Sequence, residues 1–268
     1  MQQRNGAREL GLIVATLAVL GRFVEDAPLW LATALAVLVA VAGTASLLGG
    51  QRPWRWPLDR VALPGIAAFL SMGCARLVDP VPWLALAVAG SWALTAWVVA
   101  TETAPVQRGG MAAAATPEGT HARPTAARLG AFLVAFLGFA AIGGIIPGGV
   151  AGDGQPLRVG AFLATIILDV AVGGLAGLRI ATVRPHTPGQ AAAAFYVYSM
   201  VVAPLGVLVR VLALPRLFGP AILVLAVYVV TSLRESDGPL RFNFRLLEET
   251  GVLILTGAAV VVVGLLVR

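Results

Sequence analysis

Long apolar runs, punctuated by arginine, proline and glycine, recur along almost the whole chain. They predict helical spans at 9–24, 28–49, 61–78, 81–102, 126–146, 158–180, 189–211, 216–233 and 248–267. Each is close to the roughly 20 residues that cross about 30 Å of hydrocarbon. A membrane barrel would show short strands alternating apolar and polar residues, and that period is missing. Backbone groups inside hydrocarbon must satisfy one another, which helices do within a single segment. The expected fold class is all-α: a polytopic transmembrane helical bundle of about nine spans.

Composition agrees with the pattern. A mean hydropathy of +0.89, with 59% hydrophobic and 12% charged residues, lies far from soluble domains. A water-soluble chain of 268 residues has no core large enough for so much apolar surface. The single cysteine, Cys74, excludes an intrachain disulfide and a thiolate metal cage.

Charge adds an orientation. All 19 basic residues are arginine, and 13 of them fall before the first span or after the second, fourth, sixth and eighth. The opposite side holds Arg22, Arg76, Arg158, Arg210, Arg216 and Arg268. By the positive-inside rule the amino terminus is cytoplasmic and the carboxyl terminus external. The net charge of +6 is then topogenic and gives no reason to expect nucleic acid as a partner. Arginine-only basicity together with abundant Ala and Gly points to a GC-rich genome and a bacterial plasma (inner) membrane. The first span, preceded by Arg4 and Arg8, is similar in layout to a signal peptide, but Arg22, Val24, Glu25 and Asp26 stand where a small-residue cleavage site belongs.

Residues 103–125, rich in Ala, Pro, Thr and Gly, read as a flexible cytoplasmic linker. They divide a four-span half, 1–102, from a five-span half, 126–268. Within the first half a motif recurs. Arg22-Phe-Val-Glu-Asp-Ala-Pro-Leu-Trp-Leu-Ala aligns with Arg76-Leu-Val-Asp-Pro-Val-Pro-Trp-Leu-Ala across a one-residue gap, each at an outer turn. The hairpins 9–49 and 61–102 are expected to be parallel repeats of one two-helix unit. Arg210-Val-Leu-Ala-Leu-Pro-Arg-Leu echoes the motif without its acid or Trp. Pro28 and Pro82 suit the first turn of a helix, and Trp30 and Trp83 suit the membrane interface. Arg22, Arg76 and Arg210 are the candidates for an anionic headgroup at the outer face, since guanidinium forks match phosphate. The plainer expectation for them is an interfacial anchor.

Inside the hydrocarbon, Asp169 stands out, about 16 Å from Arg158 along a helix. Acids at that depth are costly and mark sites or structural locks. Its face reads Ala161, Thr165, Asp169, Gly173 and Gly177, a small-residue stripe that lets another helix approach. The seventh span offers Ala192, Tyr196, Ser199, Ala203, Gly206 and Arg210. Antiparallel packing is expected to set Asp169 beside Tyr196 and Ser199, with Arg210 about 15 Å away along the axis. Thr165, Asp169, Tyr196 and Ser199 are thus the intramembrane polar candidates. Pro64 and Pro204 are candidate kinks.

The motifs of catalysis do not appear: there is no phosphate loop, H-E-x-x-H or G-x-S-x-G, and no catalytic residue, metal or cofactor is assigned. Glu248 and Glu249 form an acid pair, but at a position that suits a helix amino terminus. Three functions remain in order. The first is a non-enzymatic subunit or assembly factor of a membrane complex, with the lipid bilayer, other membrane subunits or an anionic lipid as partners. The second is a small-solute or proton-coupled transporter, or a lipid flippase, using Asp169 or the outer arginines. The third is a membrane enzyme acting on a lipid-linked substrate.

Overall fold

The computed structural model describes residues 2–48, 58–78, 81–107, 117–146, 159–183, 188–212, 214 and 217–235. They form eight helices and, among the described residues, no strand: α1 (Gln2–Arg22), α2 (Asp26–Leu47), α3 (Leu58–Leu77), α4 (Val81–Gln107), α5 (Pro117–Ile145), α6 (Val159–Ala181), α7 (Pro188–Val211) and α8 (Phe218–Glu235). Six of them, α2 to α7, contain a stretch long and apolar enough to cross a membrane. Charge at both ends of α1, and the shortness of the apolar part of α8, keep those two out of that set. The expected ninth span, 248–267, and with it Glu248 and Glu249, lies outside the described residues.

Five of the eight helices, α2, α3, α6, α7 and α8, lie within about three residues of their expected bounds. Three run further, α1 among them, which starts at Gln2. The alanine- and threonine-bearing stretch read as a linker extends α4 to Gln107, and α5 starts at Pro117, so only 108–116 separate them outside the described residues. Proline at a first helical position lacks only an N–H that would have no partner there. Neither Pro64 nor Pro204 ends its helix.

The centre of the bundle is α3, most of whose residues from Val61 to Ala75 are buried. It packs against α1, α2, α4, α5 and α6, while α7 and α8 close the second half against α6 and α5. Hydrophobicity alone does not pull helices together in lipid; close packing of small residues does. Accordingly α3 carries Ala62, Gly65, Ala67, Ala68, Ser71, Gly73 and Ala75 on its buried surface. Gly73 meets the Ala141 carbonyl of α5 so closely that a Cβ would collide with backbone, and Gly144 meets Gly73 in the same way.

α1 rests on α2 and α4, and α3 on α4 and α2. Gly11 of α1 meets Trp92 and Ala96 of α4, and Gly65 of α3 meets Val37 and Val41 of α2. Asp26, at the turn into α2, has a φ of 53°, in the left-handed region.

Candidate functional site

Three clusters of charged and polar side chains stand out in the interior among the described residues. The first joins the ends of α1, α3 and α5. Arg22 Nη1 donates to the carbonyls of Ala75 (2.6 Å) and Val78 (2.5 Å). Arg76 Nη1 donates to Gly21 (3.1 Å) and Val24 (2.7 Å), and its Nε to Gly144 (3.0 Å). The last carbonyls of a helix have no partner within it and carry partial negative charge, so cations suit them. Each arginine thus caps the helix of the other, and Arg76 also caps α5. Glu25 and Asp26, which follow Arg22 closely in the chain, are exposed.

The second cluster lies between α6 and α7. Thr165, Asp169, Gly173 and Gly177 are all buried, as the stripe of small and polar residues implies. Their partners differ from the expected ones. Gly177 packs on Tyr198, Gly173 on Val202, and Gly206 lies 3.1 Å from Asp169 Oδ2 as measured from an added Cβ. Each turn along α6 is met by one turn back along α7, which puts Asp169 opposite Gly206. That register is about two turns from Ser199, on the order of 10 Å.

The register also brings in the residue thought too distant. Arg210 stands one turn beyond Gly206, and helical side chains lean toward the amino terminus of their helix. Its Nη2 therefore reaches Asp169, 3.3 Å from Oδ2 and 3.5 Å from Oδ1. Asp169 is 0% exposed and Arg210 7%. The structure joins Arg22 to Arg76 at one end of the helices and gives Arg210 to Asp169. The Thr165 hydroxyl donates to Phe162 O at 2.7 Å, within its own helix.

Tyr196 is 60% exposed and turns away from Asp169; Tyr198 is the buried tyrosine, at 1%. Of the expected facing stripe of α7, Ser199, Gly206 and Arg210 are buried, whereas Ala192 and Tyr196 are exposed; the hollow at Gly177 is filled by the ring of Tyr198 instead. Tyr198 Oη shares a hydrogen bond of 2.8 Å with Thr231 Oγ1 on α8, whose hydroxyl also donates to Val227 O. Ser199 is buried against Gly174, and its Oγ has no hydrogen-bond partner among the described residues.

The third cluster was not singled out from the sequence. Arg179 Nε of α6 contacts Glu102 Oε1 of α4 at 2.7 Å, with Glu102 2% exposed and its Oε2 without a hydrogen-bond partner among the described residues. Asp59 and Arg60, at the start of α3, are near enough for their charges to act on Glu102. Glu102 is the last residue of the expected span 81–102, and Arg179 counted only toward topology. The signal available was an acid inside Thr101-Glu-Thr, before the chain turned polar.

Beside these clusters runs a shallow groove of about 440 Å³. Trp30, Thr33, Val37 and Val41 of α2, Phe69 of α3 and Leu168 of α6 line it, almost wholly apolar. Among the described residues, no group of three or more His, Cys, Asp or Glu side chains is arranged to hold a metal.

Fold and clusters together describe a helical membrane protein whose interior charges lie at helix contacts. Comparison with protein families, with curated proteins and with solved structures finds no match to this chain.

Proposed function

We propose that the chain is a non-enzymatic integral membrane protein serving as a subunit or assembly factor of a membrane complex. One observation carries this reading: the buried charges are spent on holding helices to one another. Arg22 and Arg76 hold helix-end carbonyls, Arg210 holds Asp169 and Arg179 holds Glu102. What the bundle offers outward is apolar, including the groove along α2, and such a surface suits a neighbouring helix through close packing. The arginine asymmetry favours a cytoplasmic amino terminus and a plasma-membrane location. Native mass spectrometry of protein released gently from its own membrane tests the reading. A different protein bound in fixed stoichiometry supports it; a chain accompanied by lipid alone counts against it.

A second reading, transport of a small solute or lipid coupled to protons, draws on Asp169, which lies midway along a helix fit to cross a membrane. Asp169→Asn separates the two. Transport predicts loss of uptake with insertion and helix content intact, whereas a subunit loses stability or partner association.

A further inference from the structure

We propose that the Glu102–Arg179 contact is a latch. It holds closed, at the end where α4 and α6 finish, a joint between α1–α4 and α5–α8 that pivots on the glycine crossing of α3 with α5. The two sets of helices meet differently at their two ends. At the end marked by Arg76 they touch backbone to backbone, because Gly73 faces the Ala141 carbonyl and Gly144 faces Gly73. Arg76 ties the same place, donating from Nε to Gly144 O at 3.0 Å. Glycines that meet in this way fix a short distance between helices while leaving no side chains to interlock against a small rotation.

Toward the other end, large side chains take over. Gly138 meets the side chains of Ile66 and Val172, and Gly130 meets the Trp97 ring of α4. At the end itself the link is Arg179 Nε to Glu102 Oε1, at 2.7 Å. That pair spans helices with different neighbours: α4 packs chiefly on α1 and α3, and α6 chiefly on α7 and α5. Long side chains reach across here, where glycines touch at the opposite end.

The pair is also one that can let go. It is a single hydrogen bond, where an arginine–carboxylate fork would give two, and Glu102 Oε2 has no hydrogen-bond partner among the described residues. The Arg179 side chain is 12% exposed, so its guanidinium, once freed, has a short way to water. Glu102, 2% exposed, has no such route, and a lone buried carboxylate is too costly to stay dry. The other charges that act on it, Asp59 and Arg60 of α3, are opposite in sign and largely offset each other. From α1 it is the apolar Ala7 and Leu10 that pack on this end of α4, at Val99. Parting these ends therefore draws water into the joint. Ala131 and Val134 of α5 lie on its path, two turns before Gly138 and Ala141 on the face that meets α3, and both are 0% exposed. The proposal goes beyond the subunit reading and does not depend on it, since a transporter of this fold would carry the same joint.

Cys74 is the single cysteine, so a Cys74→Ala background lets an introduced cysteine report. Ala131→Cys places a thiol in the joint, and Met72→Cys places one beside the crossing; both parent side chains are 0% exposed. The rate of modification by a water-soluble maleimide, measured on protein in lipid nanodiscs, reads the opening. Glu102→Gln and Arg179→Gln are each expected to raise the rate at Ala131→Cys several-fold and to leave that at Met72→Cys unchanged. Val134→Cys repeats the test if Ala131→Cys does not fold. An unchanged rate at the α5 position in either variant overturns the proposal. So does an equal rise at Met72→Cys, which would mean general loosening and no joint.

Discussion

Removing one charge from the Asp169–Arg210 pair is the sharpest perturbation the bundle offers. Breaking a buried ion pair on one side costs roughly 3–5 kcal/mol, because it strands the other charge. Two features pull the figure to the low end. The contact uses one guanidinium nitrogen at 3.3 and 3.5 Å, longer than the roughly 2.7–2.9 Å of a two-pronged fork. In a membrane the unfolded state also finds partners for its polar groups. Asp169→Leu is therefore expected to cost about 3 kcal/mol, leaving a guanidinium that cannot shed its proton. Arg210→Met should cost less, about 1–2 kcal/mol, because a stranded carboxyl can take up a proton and become neutral. The double variant removes both charges and should lie within about 1 kcal/mol of the parent. Equilibrium unfolding in mixed micelles, followed by helix content, measures all four proteins. The reasoning fails if the double variant loses the sum of the two single losses, since the groups would then not be coupled. It fails equally if Arg210→Met proves the costlier single change.

Three further substitutions probe separate contacts by the same unfolding measurement. Tyr198→Phe should lose about 1 kcal/mol with its bond to Thr231, while Tyr196→Phe should be silent; the reverse order would contradict the register of α7. Gly73→Ala drives a Cβ against the Ala141 carbonyl and should cost about 1–3 kcal/mol. Gly90→Ala, with nothing within 4 Å, should gain a few tenths of a kcal/mol, about the helix propensity of alanine over glycine or somewhat less, and equal effects at the two sites would deny the tight crossing. Glu102→Gln keeps shape but removes the charge facing Arg179, for an expected loss of about 1–2 kcal/mol; an unchanged midpoint would mean that the contact contributes nothing.

The helices were legible because their signal is local. An apolar run of about 20 residues needs no partner to declare itself, and the bounds of α2, α3, α6 and α7 follow from arginine, proline and glycine at the ends. The buried stripe of α6 was legible too, since an acid and two glycines spaced by four share a face whatever packs on them. Its partner was not. Antiparallel register depends on how many residues the turn consumes, and 184–187 carry no pattern that fixes this. A shift of a few residues there replaces Ser199 by Gly206 opposite Asp169, and the backward lean of Arg210 then closes the remaining distance. Size was misread for a related reason. Small residues mark where helices approach, but a glycine on one helix leaves a hollow for a large ring on the other, so Tyr198 went unnoticed beside Tyr196. Arg22 and Arg76 teach the complementary point. Their repeated motif was visible in the sequence, yet its purpose was not, because a helix-end carbonyl is present in every sequence and becomes a ligand only when tertiary packing brings it within reach of a guanidinium. Arg22 and Arg76 look like anchors while each hairpin is considered alone; with the hairpins side by side, each arginine caps the helix that carries the other.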